Sequence, residues 1–166
     1  MKKIVKMFCL LLFVFAFSGC DNQVQQSPEK KKIEKAEPIK SVWMTDFEKA
    51  KETAGKENKP ILLVFSGSDW CSWCIKLDRE VFSTSAFREW AADNIVCMLA
   101  DFPAVKDLAP DLKSQNEKLR DTYNVEGYPT VLLLKADGSV IARTGYLAGG
   151  ADKYIKHLKM FIGAAR

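Results

Sequence analysis

Two cysteines two residues apart, in Trp70-Cys71-Ser72-Trp73-Cys74, constrain this chain more than any other feature. The apolar run Ile61-Leu62-Leu63-Val64-Phe65 precedes them and reads as a buried strand. Ser66-Gly67-Ser68-Asp69 is a short turn, and Ile75 to Phe82 continues at helical spacing. Strand, turn and helix together place Cys71 at a helix N-terminus, where unpaired N–H groups and the helix dipole favour thiolate over thiol. Cys74, three residues on, is close enough to close a small disulfide, so the pair is equipped for thiol–disulfide exchange. A tetrahedral zinc site needs about four ligands, usually two such pairs, and here there is no second pair and the only histidine is His157. Covalent haem attachment needs a histidine directly after the second cysteine, where Ile75 stands. A purely structural bridge is the remaining alternative, but loops this short contribute little chain-entropy stabilisation. Redox chemistry without a metal is the preferred reading.

The order strand–turn–Cys-x-x-Cys–helix resembles the thioredoxin superfamily, and so does Gly127-Tyr128-Pro129-Thr130 just before a second apolar run. The resemblance covers roughly residues 41 to 162. It implies an α/β fold with a central mixed sheet flanked by helices, and a cis peptide bond before Pro129. It also implies that Tyr128, Pro129 and Thr130 lie against the cysteine pair and bind the substrate backbone. Within that frame Cys71 is expected to be the attacking thiolate and the more exposed sulfur, with Cys74 resolving the mixed disulfide. Trp70 and Trp73 flank the pair and are read as a hydrophobic docking rim for protein substrates, against the alternative of ordinary packing. No cofactor is expected beyond the Cys71–Cys74 disulfide itself.

Two departures from the family matter. Thioredoxin carries a buried aspartate six residues before its first cysteine, a proton acceptor near the resolving sulfur, with a partnering lysine on the next strand. Here Phe65 occupies the first position, and the lysine position is expected to fall at Cys97. The proton route must therefore come from elsewhere, with Asp69, Asp78 or water as candidates. Ser72-Trp73 between the cysteines matches neither the Gly-Pro of thioredoxin nor the Pro-His of the strong oxidants, which leaves redox direction open.

Before the domain, Met1-Lys2-Lys3-Ile4-Val5-Lys6 is basic and Met7 to Phe17 is an apolar run too short to span a bilayer comfortably. With Phe17-Ser18-Gly19-Cys20 closing it, residues 1–19 read as a secretory signal peptide. The ending resembles a bacterial lipobox, which implies cleavage before Cys20 and lipidation of that cysteine. Ordinary cleavage with a free Cys20 thiol, or an uncleaved anchor, are the rivals. Asp21 resembles an inner-membrane retention signal of some bacteria. Cleavage removes Cys9 and three of the 25 basic residues, leaving 22 against 21 acids, so the net charge falls from +4 to +1. That balance offers no nucleic-acid footprint. Residues 20–40 are polar, rich in Gln, Glu and Lys, and read as a flexible tether of roughly 25 Å root-mean-square span. The Lys30-Lys31-Lys32 run is diluted by Glu29, Glu34 and Glu37 and is read as solvated tether.

Residues 41–166 form the expected thioredoxin-like domain. Thr45 is a predicted N-cap for a helix from Asp46 to about Glu57 with Phe47, Ala50 and Ala54 on one face. After the cysteine helix come a helix at 86–93 with Phe87 and Trp90 inward, a strand at 95–100, and a helix at about 111–123 carrying Leu112, Leu119 and Tyr123 inward. Thr130–Leu134 and Val140–Arg143 are paired by the Asp137-Gly138 turn, and a last helix runs from Ala151 to Phe161 with Tyr154, Ile155, Leu158 and Phe161 inward. Cys97 is read as a small buried hydrophobe and His157 as solvent-facing or at a helix end.

The sequence thus points to an exported, membrane-tethered thiol–disulfide oxidoreductase on the periplasmic side of a bacterial membrane. It is expected to reduce, or isomerise, disulfides of other exported proteins and to draw electrons from a membrane thiol donor. The rival is a non-catalytic thioredoxin-like binding lipoprotein with a structural Cys71–Cys74 bridge.

Overall fold

The computed structural model describes residues 42–164; the expected signal peptide, Cys20 and the expected tether lie outside the described residues. Five strands form one mixed sheet in the order β1-β3-β2-β4-β5. β1 (Trp43–Met44), β2 (Ile61–Ser66) and β3 (Val96–Asp101) run parallel, while β4 (Thr130–Leu134) is antiparallel to β2 and to β5 (Val140–Thr144). The helices are α1 (Phe47–Glu57), α2 (Ser72–Leu77), α3 (Ser85–Asn94), α4 (Pro110–Thr122) and α5 (Gly150–Ala164). The expected mixed sheet flanked by helices is the observed one.

β2 is buried at all six residues because both faces of the sheet are covered. Leu62 and Val64 point to the side packed by Leu77, Val81, Phe82, Phe87 and α5. Ile61, Leu63 and Phe65 point to the other side, against Phe47, Ala50 and Ala54 of α1 and Leu119 of α4. The strand thus holds the cysteine motif at its C-terminal end on a base that cannot shift without opening two cores.

The structure departs from several expectations. The two-residue edge strand β1 was too short to leave a period-2 pattern. Asp46, not Thr45, caps α1, because its carboxylate reaches the Lys49 N–H at 3.1 Å. The cysteine helix passes into a π-helical segment, Asp78–Phe82, closed by the Ser83 N–H donating to the Asp78 carbonyl at 2.8 Å. Trp90, Leu112, Tyr123 and Phe161 are only half-buried. In α4 the buried polar residue is Asn116, whose side-chain amide donates to the Asp101 carbonyl at 2.9 Å and ties the helix to the end of β3.

Candidate active site

The turn after β2 is closed by the Gly67 carbonyl, which accepts the N–H groups of Trp70 (3.3 Å) and Cys71 (2.9 Å). Cys71 then serves as N-cap of α2, its sulfur accepting the Cys74 N–H at 3.2 Å. The two cysteines are joined in a disulfide with their Cα atoms 5.2 Å apart. Cys71 is the more exposed of the two, as expected, but by little: both residues are buried, at 6% and 4% exposure, and the Cys71 sulfur caps the first helical turn. On reduction that same N–H and the start of the helix remain to stabilise a thiolate.

The motif is fastened to the loop that follows β3. Ser68 donates to the Asp101 carboxylate through its hydroxyl (2.6 Å) and its backbone N–H (3.0 Å). Asp69 accepts the backbone N–H groups of Ala104 (2.8 Å), Val105 (2.8 Å) and Lys106 (3.3 Å). The Ala104 bond is the largest of the effects that hold its carboxyl below the usual carboxylate range. Asp69, a candidate proton acceptor in the sequence, is therefore committed to holding this loop. No local pattern in the sequence betrays that role, because its partners are backbone groups 35 to 37 residues away.

Trp70 and Trp73 are 52% and 54% exposed despite their size. Trp70 lies back over Gly67, donates its indole N–H to the Phe102 carbonyl at 2.7 Å, and meets Tyr128 edge-on at 5.7 Å. Trp73 packs on Tyr146 at 5.1 Å, and the Lys76 ammonium sits 5.2 Å from each of these two rings. Tyr146 in turn donates to Glu80 at 2.7 Å. The exposed Ile75 extends the surface. Two ordered aromatic walls thus flank the disulfide, and Tyr146 was not among the residues singled out in the sequence.

The Tyr128–Pro129 peptide bond is cis. Pro129 lines a cavity of about 190 Å³ together with Cys74. Thr130 pairs with Phe65 across the β2–β4 ladder and donates its hydroxyl to the Gly127 carbonyl at 2.8 Å. Gly145 lies so close to this loop that a Cβ there would stand 3.1 Å from the Pro129 carbonyl oxygen. The structure thus brings Cys74 and Pro129 to one cavity and Trp70 against Tyr128, while Thr130 sits at the root of the loop.

The expected position of the missing lysine needs correction. β2 pairs Phe65 with Ala100, and Cys97 pairs with Leu62 on the opposite face of the sheet. Phe65 is fully buried against the Phe102 and Tyr123 rings and the apolar residues of that core. Cys97 is the buried hydrophobe anticipated, and burial pushes its thiol up to about 12. His157 is half-buried rather than solvent-facing, because Thr144 bonds its Nε2 at 2.9 Å and Phe161 packs against its ring.

A cysteine pair at the start of a helix, above a mixed sheet and beside a cis-proline loop, defines a thiol–disulfide oxidoreductase of the thioredoxin type. A family model described as "Thioredoxin-like domain" matches residues 47–162. The chain belongs to the thioredoxin superfamily. It is 33% identical over 113 residues to a protein named disulfide bond reductase DsbH from Chlamydia pneumoniae, covering 68% of each chain. A solved structure titled DsbH oxidoreductase superposes with a TM-score of 0.70 at 29% identity, over 78% of this chain and 94% of that one. A thioredoxin from Thermus thermophilus shares the fold at 16% identity, with a TM-score of 0.53 over 71% of this chain and 84% of that one.

Proposed function

We propose that this protein is an exported, lipid-anchored disulfide reductase in which Cys71 attacks a disulfide of another exported protein and Cys74 completes the transfer. The observation that carries this reading is a disulfide at a helix start between two half-exposed tryptophans, a surface suited to docking a polypeptide. Likeness to a protein named a disulfide bond reductase favours the reducing direction. The Cys71 thiolate attacks one substrate sulfur, forms a mixed disulfide and expels the other sulfur as a thiolate. Cys74, once deprotonated, attacks the Cys71 sulfur and releases the second substrate thiolate, leaving the enzyme oxidised by two electrons. A membrane dithiol donor returns those electrons by the reverse exchange. Trp70, Trp73, Tyr128, Pro129 and Thr130 hold the substrate segment across the pair. The anchor is a lipid on Cys20, with residues 21–40 as a tether.

The test is a trapping experiment with Cys74→Ser in the full chain. We expect covalent complexes with exported proteins that dissolve under dithiothreitol and vanish in the Cys71→Ser, Cys74→Ser double variant. Failure of Cys74→Ser to form any mixed disulfide would sink the catalytic reading and favour a binding lipoprotein with a structural bridge. Radiolabelled palmitate incorporation that disappears in Cys20→Ser tests the anchor separately.

A further inference from the structure

Resolution of the mixed disulfide needs a proton to leave the Cys74 thiol, and the thioredoxin acceptor position is Phe65 here. The cavity of about 190 Å³ is lined by Cys74 and not by Cys71. Trp43, Val64, Leu77, Phe82 and Leu99 form its apolar walls. Ser66, Ser68 and the solvent-exposed Asp78 also line it, and at about 30 Å³ per molecule it has room for several waters. Among the described residues Asp78 is the only acidic side chain lining it. Asp78 stands one helical turn beyond Cys74, its backbone N–H donating to the Cys74 carbonyl. The Ser83 hydroxyl donates to its Oδ2 at 2.8 Å, which holds the carboxylate.

We propose that Asp78, acting through water in this cavity, is the proton acceptor for Cys74. The proposal rests on the redox reading of the pair. In the step, the Cys74 thiol gives its proton through the water to the Asp78 carboxylate. The resulting thiolate attacks the Cys71 sulfur, the bond from Cys71 to the substrate sulfur breaks, and the substrate leaves as a thiolate. Asp78, now a carboxylic acid, returns the proton to solvent or to that thiolate. Other charged groups nearby are engaged elsewhere. Lys76 lies over the Trp73 and Tyr146 rings, Arg79 is 3.9 Å from Glu80, and Glu80 accepts from Tyr146. From β3, Asp101 accepts from Ser68 and does not line the cavity. From α5, Tyr154 donates to the Gly145 carbonyl, and His157 is paired with Thr144.

The test follows the reaction of the reduced full chain, carrying Cys9→Ser and Cys20→Ser, with limiting 5,5′-dithiobis(2-nitrobenzoate) by stopped flow. The first nitrothiobenzoate released reports attack by Cys71, and the second reports resolution by Cys74. Asp78→Asn should leave the first phase unchanged and slow the second by about ten- to a hundredfold, the lower reach of general-base catalysis. Raising the pH should speed the second phase more steeply in Asp78→Asn, where only solvent and hydroxide take the proton, than in the parent. Asp78→Glu should restore the parent's second-phase rate and pH response, and Asp101→Asn should leave both intact. An unchanged second phase in Asp78→Asn, equal slowing of both phases, or a steepened pH response in Asp101→Asn would each overturn the assignment. If the parent shows no second release, the redox reading itself fails.

Discussion

Replacing Gly67 by alanine should disorder Trp70 and little else. A Cβ at Gly67 would stand 2.6 Å from the Trp70 Nε1 and 2.7 Å from its Cζ2, with Cε2 nearer still, so the indole has to leave. Leaving breaks the 2.7 Å bond to the Phe102 carbonyl, about 1 kcal/mol net, and the edge contact with Tyr128, about 0.5–1.5 kcal/mol. Alanine has less freedom than glycine in the unfolded chain, which returns about 0.4–1 kcal/mol. The net cost of Gly67→Ala is then about 0.5–2 kcal/mol. In a Trp70→Ala background the obstacle is gone, and the same substitution should be neutral or slightly stabilising. Urea denaturation of the four proteins of this double-mutant cycle, followed by far-ultraviolet circular dichroism, should give a coupling energy of about 1.5–2.5 kcal/mol. Equal costs of Gly67→Ala in both backgrounds would refute the claim that Trp70 is held in place over this turn.

Asp69→Asn should speed amide exchange at Ala104, Val105 and Lys106, whose N–H groups the carboxylate accepts. Because folding lowers this carboxyl's pKa, its contribution is complete above the ordinary value of 3.8 and fades as pH falls through the lowered one. Exchange at those amides should accelerate over that acid range in the parent and not in Asp69→Asn. Cys97 should resist iodoacetamide at pH 8 in the folded protein, since its thiol titrates at about 12, and stoichiometric alkylation of native protein would contradict its burial. Cys97→Ser should cost about 1–3 kcal/mol by denaturant titration, because the hydroxyl enters an apolar cluster. Trp73→Ala should raise KM for a protein disulfide about five- to thirtyfold, the equivalent of 1–2 kcal/mol, and leave reduction of a small aromatic disulfide unchanged.

The central architecture was legible because β2, β3 and β4 are short continuous apolar runs and the Asp137-Gly138 turn marks the only tight hairpin among the described residues. The cysteine pair stood out by spacing alone, and the two tryptophans by adjacency. What escaped the sequence depends on contacts distant along the chain. Asp69 was considered for proton transfer, yet its backbone partners in the 104–106 loop fix it as a fastening. Tyr146 joins Trp73 across 73 residues, and nothing in its neighbourhood marks it as part of the site. By analogy the lysine position falls at Cys97, but the β2–β3 register pairs Phe65 with Ala100, and Cys97, three residues earlier, lies on the other face, as any odd offset along a strand requires. The capping of the first helical turn by the Cys71 sulfur is a geometry that spacing does not reveal.

The reduction potential of the Cys71–Cys74 pair, by equilibration of the protein with dithiothreitol or glutathione, tests the account most directly. A reductase should give a value around −270 mV, in the range of thioredoxin. A value of about −120 to −180 mV would make it an oxidant or isomerase and reverse the proposed direction. A value well below about −300 mV with slow exchange would mark a structural bridge and contradict the central claim.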